Sequence, residues 1–335
     1  MNSFPDSPVV GIARLASESS PLAEKRQASY FEIEAKSILN RCTNSQMPFY
    51  WTINPYRGCE FACKYCYARY THEYMGMEDG TDFEKKIYSK RDASLILNAE
   101  LSPAKLRNRP VAIGTATDPY QPAERRCLTT RSLLEVLAQR EGIALSITTK
   151  SDLVIRDVDL LKQIQKVGSI HVNISITTIR PRLARLLEPK APTPKRRLAA
   201  VKALAEHGIP VGVFIMPVIP LLTDDMEGLE EVVKQANAAG AKYLGARPLF
   251  LMPSAKRMFL PFIEERFPKL RSSYRKLFGS SAYLPEAYDA RIRKQIETLR
   301  RRHNLASRPP EEFTTPDQPV PRQTALVFPN EIPRE

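Results

Sequence analysis

The chain predicts an α/β fold, an incomplete TIM-like (β/α)6 barrel with appended C-terminal helices. Two observations carry this: short β-branched runs alternate with helical patterns, and the alternation stops after Pro248. Most of the helical stretches also close on a glycine, the usual helix terminator.

The first strand is "FYWTIN" (49–54), followed by "VAIGT" (111–115), "ALSITT" (144–149), "IHVNISI" (170–176), "VGVFIMPV" (211–218) and "KYLGARPL" (242–249). Between the later strands lie "TTRSLLEVLAQREG", "DVDLLKQIQKVG", "TPKRRLAAVKALAEHG" and "TDDMEGLEEVVKQANAAG", each with apolar residues at helical spacing. Strand, helix, strand at this rhythm means parallel βαβ units. Six strands suit an incomplete barrel better than a closed eight-stranded one, with a doubly wound open sheet as the main alternative. Either way, ligands gather at the C-terminal ends of the strands. Residues 1–30 are rich in Ser and Pro and read as a disordered tail, as does the Pro-rich segment 305–335. That leaves the barrel at 31–250 and a basic helical extension at 251–304.

With 335 residues, 43% of them hydrophobic, the chain can bury a substantial core. It has no apolar run of the roughly 18 to 20 residues a membrane span requires, and "MNSFPDSPVVGIARLASESS" lacks the order of a secretory signal. A cytoplasmic location with no membrane partner is expected. Five cysteines, three of them clustered, then point to metal binding or catalysis and away from disulfides. The net charge of +13 points to a polyanionic partner such as nucleic acid. Residues 256–303 hold thirteen Lys or Arg against five Asp or Glu, interleaved with Phe259, Phe262, Phe267, Tyr274, Phe278, Tyr283 and Tyr288. Such rings are either stacking surfaces for bases or helix core.

Just after the first strand, "NPYRGCEFACKYCYARY" contains Cys59, Cys63 and Cys66 in a C-x3-C-x2-C pattern. Thiolates at this spacing suit zinc or iron-sulfur iron. A structural zinc needs a fourth ligand, which His72, Cys42 or Cys127 would have to supply. A 4Fe-4S cluster held by three cysteines keeps one iron open.

The triad with Tyr65 before its last cysteine, at the end of the first strand of a partial barrel, resembles the radical S-adenosylmethionine enzymes. "NPYRGCEFACKYCYAR" and "TDPYQPAE" resemble more narrowly the bacterial branch related to spore photoproduct lyase, over roughly residues 40–250. The resemblance implies a 4Fe-4S cluster on Cys59, Cys63 and Cys66, with S-adenosylmethionine chelating the open iron. It further implies a one-electron reductant such as a flavodoxin or ferredoxin, and a 5′-deoxyadenosyl radical that abstracts a substrate hydrogen in a lyase-like or transferase reaction. Nucleic acid is among the substrate classes expected. Around the co-substrate the resemblance places Thr115, Thr117 and Asp118 after the second strand, Lys150 after the third, Ser175 on the fourth and Met216 and Val218 on the fifth. Arg247 after the sixth could meet a carboxylate or phosphate. Each has a plainer reading as turn, core or solvated residue.

One departure bears on the reaction. The lyase returns hydrogen to its product from a cysteine near the end of the second strand, where this chain reads "GTATD". Cys127, farther on, does not occupy that position. The competing class is a nucleic-acid-binding protein with a structural zinc site.

Overall fold

A computed structural model describes residues 10–309, apart from 26–27, 46 and 107–108. Among the described residues eleven strands form two sheets: β1 (Ser20–Lys25), β2 (Ala28–Ile33), β3 (Leu39–Arg41), β4 (Trp51–Ile53), β5 (Tyr56–Arg57), β6 (Lys86–Lys90), β7 (Val111–Ile113), β8 (Ala144–Thr149), β9 (Ser169–Ser175), β10 (Val211–Val218) and β11 (Tyr243–Pro248). The larger sheet runs β11-β10-β9-β8-β7-β4-β3, and β4 through β11 within it are parallel. These are the six strands predicted. Their spatial order follows their chain order without reversal, which is the order of a barrel wall; a doubly wound sheet would have a switch point. Among the described residues β11 does not pair back to β3, so the barrel is partial.

Register explains how this half barrel differs from a closed one. On its outer face Leu145, Ile147, Ile170, Val172, Val211 and Val213 are buried against Leu133, Leu161, Val201 and Val232 of the surrounding helices. The inner face pairs Thr52 with Ala112, Ala112 with Ser146, Ser146 with His171, Thr148 with Asn173 and Ser175 with Phe214. Alternation along each strand thus sends apolar residues out and small or polar ones in. Near the base the lumen is filled, since the Tyr243 ring lies where any Cβ on Gly212 would be, 2.2 Å from its nearest atom. The Tyr243 hydroxyl donates to Asn173 Oδ1 at 2.6 Å. Toward the C-terminal ends the inner face stays polar.

The second sheet, β1-β2-β6-β5, was not foreseen. The segment expected to be a tail carries the helix Gly11–Ser17 and strand β1, which pairs antiparallel with β2. Ala16 of that helix is buried with Ile33, Met75 and Tyr88, and this apolar contact holds the segment down. Residues 1–9 and 310–335, the remainder of both expected tails, lie outside the described residues.

The C-terminal boundary also shifts. Glu286–Arg302 is a helix whose Ile292, Ile296 and Leu299 belong to the barrel core, so it completes the sixth strand-helix unit. Leu305 is buried and Ala306 bridges to Tyr243. Residues 251–284 contribute instead to one cluster with Cys59, Cys63, Phe61 and Tyr65, through Leu251, Phe259, Tyr274, Phe278 and Leu284 among others.

Candidate functional site

The cysteine loop leaves β4 at its C-terminal end and is fastened on three sides. Cys59 N donates to Phe83 O at 2.9 Å, Lys64 N to Leu187 O at 2.9 Å, and Lys190 N to Phe61 O at 3.3 Å. From below, Arg69 reaches Cys63 O at 3.0 Å and Gly80 O at 2.6 Å and pairs with Glu84 at 2.7 Å, all while 2% exposed. Gly58, just before the first cysteine, has φ +82°, and a Cβ there would lie 2.7 Å from Lys86 O and 2.9 Å from Phe83 O. Gly58→Ala therefore combines a left-handed backbone with a clash. It is expected to destabilise the fold by about 2 to 3 kcal/mol or more, read as a lowered thermal midpoint.

Cys59 and Cys63 are buried and Cys66 half-buried, in an apolar pocket with Phe61, Tyr65, Tyr67 and Ala116. Burial raises the pKa of all three, that of Cys63 to about 12, and each thiol also feels another of the triad or its surrounding charges. Among the described residues no three Cys, His, Asp or Glu side chains converge where a single metal ion could sit. The residues considered for zinc are engaged elsewhere. His72 Nε2 bonds Lys86 O at 2.9 Å and burial lowers its pKa to about 4, Cys42 Sγ lies 3.8 Å from Asn44 O, and Cys127 packs on the small-sheet cluster. Three soft donors in one apolar pocket, with no fourth nearby, fit a cluster whose irons are spread and one of which stays open.

The segment 114–124 clamps this loop. Thr117 Oγ1 donates to Gly58 O at 2.6 Å, Gln121 Nε2 to the same oxygen at 3.0 Å, and Glu60 N to Gln121 Oε1 at 2.9 Å. Asn54 Nδ2 donates to Thr115 Oγ1 at 3.0 Å, and Ala116 N to Asn54 Oδ1 at 2.8 Å. Tyr67 hydroxyl donates to Thr115 O. Asp118 accepts from Thr149 Oγ1 at 2.6 Å, Lys150 N at 2.7 Å and Tyr120 N at 2.9 Å. Thr115, Thr117 and Asp118 thus spend their polar atoms holding the loop and the end of β8 together.

Lys150 continues the inward parity of Ser146 and Thr148, and its Nζ lies 5.8 Å from the centre of the Tyr65 ring. Burial acts against its charge, but Cys63, Glu188 and Asp118 outweigh it and raise its pKa. Behind Tyr65 is a network that sequence reasoning missed. The Tyr65 hydroxyl donates to Glu188 and shares a 3.1 Å bond with Thr177; Glu188 pairs with Arg197; and Arg197 donates to Ser175 O at 3.0 Å and Pro192 O at 2.8 Å. Glu188 is 2% exposed and Arg197 1%.

The remaining expected residues divide. Ser175 is on the inner face, its carbonyl taken by Arg197. Met216 is half-buried on that face, whereas Val218 is 1% exposed within the barrel core. A register shift between Ile215 and Val218 separates them, so Val218 presents no surface to an adenine. Arg247, on the inner face of β11, is half-buried, and burial lowers its pKa.

In the basic extension most of the rings serve as helix core, the plainer of their two expected roles. Phe259, Phe262, Tyr274 and Phe278 are buried core, Phe267 packs against it, Tyr283 stacks on Phe250, and Tyr288 donates to Asp224. Arg257, Arg271, Arg275, Arg291, Arg293, Arg300, Arg301 and Arg302 all pair with carboxylates. Packing uses the rings and neighbouring acids pair with these arginines, while Lys269, Lys276 and Lys294 are exposed and have no ion pair among the described residues.

A half barrel with three thiols at its first strand end defines a class, and comparison with known proteins names it. The model of the Radical SAM superfamily matches residues 53–234, and the chain belongs to that superfamily, whose members use a 4Fe-4S cluster and S-adenosylmethionine. It is 37% identical over 279 residues to an uncharacterized protein of Mycobacterium tuberculosis, covering 83% of this chain and 82% of that one. An uncharacterized protein of Methanocaldococcus jannaschii is 31% identical over 253 residues, covering 73% and 87%. In fold the chain is similar to spore photoproduct lyase complexed with dinucleoside spore photoproduct, with TM-score 0.61, 15% identity and 90% and 84% of the two chains covered. No helix among the described residues is long and apolar enough to cross a membrane.

Proposed function

We propose that this radical S-adenosylmethionine enzyme cleaves its co-substrate to a 5′-deoxyadenosyl radical, which abstracts hydrogen from a substrate held in the open half barrel. A nucleic-acid component is the substrate class favoured by the fold neighbours, one of which contains AdoMet and a dinucleoside photoproduct. The observation that carries the reading is the gathering of Cys59, Cys63 and Cys66 beside the half-buried Lys150 at the strand ends. When bound, the cluster supplies the electron, passed on from a flavodoxin or ferredoxin, that breaks the sulfonium.

The chain's own residues bind, orient and exclude water. Cys59, Cys63 and Cys66 would hold three irons. Lys150 offers an ammonium to the co-substrate's carboxylate, steadied over the Tyr65 ring. Ser175 and Met216 line the inner face toward the ribose and adenine, and Arg247 faces the same lumen from the last strand. Phe61, Tyr67 and Ala116 keep the thiol pocket apolar. Thymine-dimer repair of the lyase type is not part of the proposal, because Cys127 packs with Ala28, Tyr30, Tyr56, Ile87 and Ala123, away from the triad's cluster.

The test is anaerobic reduction in the presence of S-adenosylmethionine. 5′-Deoxyadenosine should form, and deuterium from the true substrate should appear in it; no cleavage by protein with a full cluster would defeat the reading. Lys150→Ala should weaken S-adenosylmethionine binding about tenfold to a hundredfold, the worth of a charge-assisted bond, with the cluster absorbance retained. Unchanged affinity would remove Lys150 from the site.

A further inference from the structure

The N-terminal helix, the small sheet and the edge of the barrel border an open cleft of about 800 Å³, lined in part by Ile12, Ile33, Asn54, Arg57, Lys90 and Ala116. Its charge is one-sided. Arg14, Lys36, Arg57 and Lys90 face it against the single carboxylate of Glu34, and Glu34 is itself 3.6 Å from Arg91. Arg57 and Lys90 form its floor. Arg57 stands opposite Tyr88 in the β5/β6 pairing, and Lys90 lies two residues beyond Tyr88, so strand alternation puts both cations on one face.

Neither cation is spent within the described chain. Lys90 is 8% exposed, yet no carboxylate or carbonyl of the described residues pairs with its ammonium, and the Arg57 guanidinium is likewise without an ion pair or hydrogen bond. Glu100, the acid nearest in effect to Lys90, accepts instead from Ile38 N at 3.0 Å and Leu39 N at 2.9 Å. Burial and the neighbouring Arg57 pull Lys90 down to about 8, as befits an ammonium without a counterion. A buried charge with no partner is costly, and a site that keeps one beside a second, half-buried cation is built for an anion from outside.

We propose that Arg57 and Lys90 bind the phosphoryl group of a nucleotide-sized ligand in this cleft. Two cations, one a planar fork, match a phosphoryl group in charge and geometry. The volume exceeds what a bare anion needs. Ile12, Leu15 and Ile33 provide apolar wall for the rest of the molecule, and the Oδ1 of Asn40 and the hydroxyl oxygen of Thr52 can still accept hydrogen bonds from it, their donors being given to Ile38 O and Asn40 O. The cleft also borders the thiol site. Asn54 and Ala116 belong to the clamp on the cysteine loop, and Arg57 is two residues from Cys59, about 7 Å of extended chain at most. The phosphate could be a terminal monoester or a backbone diester, which share this chemistry.

The inference rests on charge and shape and does not require the radical reaction, so it is tested by binding without reductant. The full chain with its cluster is titrated calorimetrically with thymidine, thymidine 5′-monophosphate and the dinucleoside monophosphate TpT, which has no terminal phosphate. At least one phosphorylated probe should bind about tenfold or more tighter than thymidine, and Lys90→Met should erase that margin. The stronger of the two identifies the monoester or the diester as the source. Because Met keeps the aliphatic stem and removes an unpaired buried charge, Lys90→Met without ligand should also raise the thermal midpoint. Equal binding of all three probes, binding unaltered by Lys90→Met, or a lowered midpoint in that variant would each overturn the site.

Discussion

Replacement of any one of Cys59, Cys63 or Cys66 by Ala is expected to abolish stable iron binding and with it all 5′-deoxyadenosine formation. The three thiols occupy one apolar pocket, and the chain offers no nearby substitute: among the described residues Cys42 lies by Asn44 and Cys127 on the small-sheet cluster. With two ligands left, a cluster that already has one open iron would have a second unprotected corner. Cys42→Ala and Cys127→Ala should keep full iron. Iron content and the brown absorbance of anaerobically purified protein report both arms, and loss of iron in either control variant would mean the ligand set is wrong. The Ala variants should stay folded, because removing a buried thiol from an apolar pocket costs far less than removing a charge.

The six barrel strands were legible because five are compact apolar runs with β-branched residues and the sixth, "KYLGARPL", keeps the rhythm of strand after helix, and the cysteine spacing carried its chemistry openly. The small sheet was not. β1 reads "SPLAEK", with a proline and no β-branched residue, and β5 is two residues long, so these strands exist through pairing and packing and not through propensity. The Tyr65–Glu188–Arg197 network joins residues 123 positions apart in sequence, beyond any local pattern. One signal was present. Arg197 shares a helical face with Ala200, Val201 and Leu204, all buried, and a cation in an apolar stripe requires a buried anion to meet it. In the basic extension, composition counts charges without showing which of them have partners. Glu264 alone takes Arg271 and Arg275, and Glu230 takes Arg302 and His303.

Glu188→Gln is expected to destabilise the protein by about 3 to 5 kcal/mol, the usual cost of removing one partner from a buried ion pair. Arg197, 1% exposed, would keep its bonds to Ser175 O and Pro192 O but lose the carboxylate it pairs with, with the Lys150 charge nearby. The damage would reach the cysteine loop. Leu187 O, one residue before Glu188, receives Lys64 N, while the Tyr65 hydroxyl loses a charged acceptor. Iron retention should therefore fall along with the thermal midpoint. A pH profile separates the pair from general packing. Burial pushes the Glu188 carboxyl up, but Arg197 and Lys150 outweigh it and hold its pKa below the ordinary glutamate value of 4.5. A carboxylate depressed in the folded state adds stability that is fully present above its unfolded pKa and lost as pH falls through the folded value. The wild type should accordingly lose part of its stability as pH drops below about 4.5, and the Gln variant should lose less over that interval. Equal acid sensitivity in the two proteins, or a midpoint unchanged near neutrality, would show that Glu188 and Arg197 contribute nothing as an ion pair.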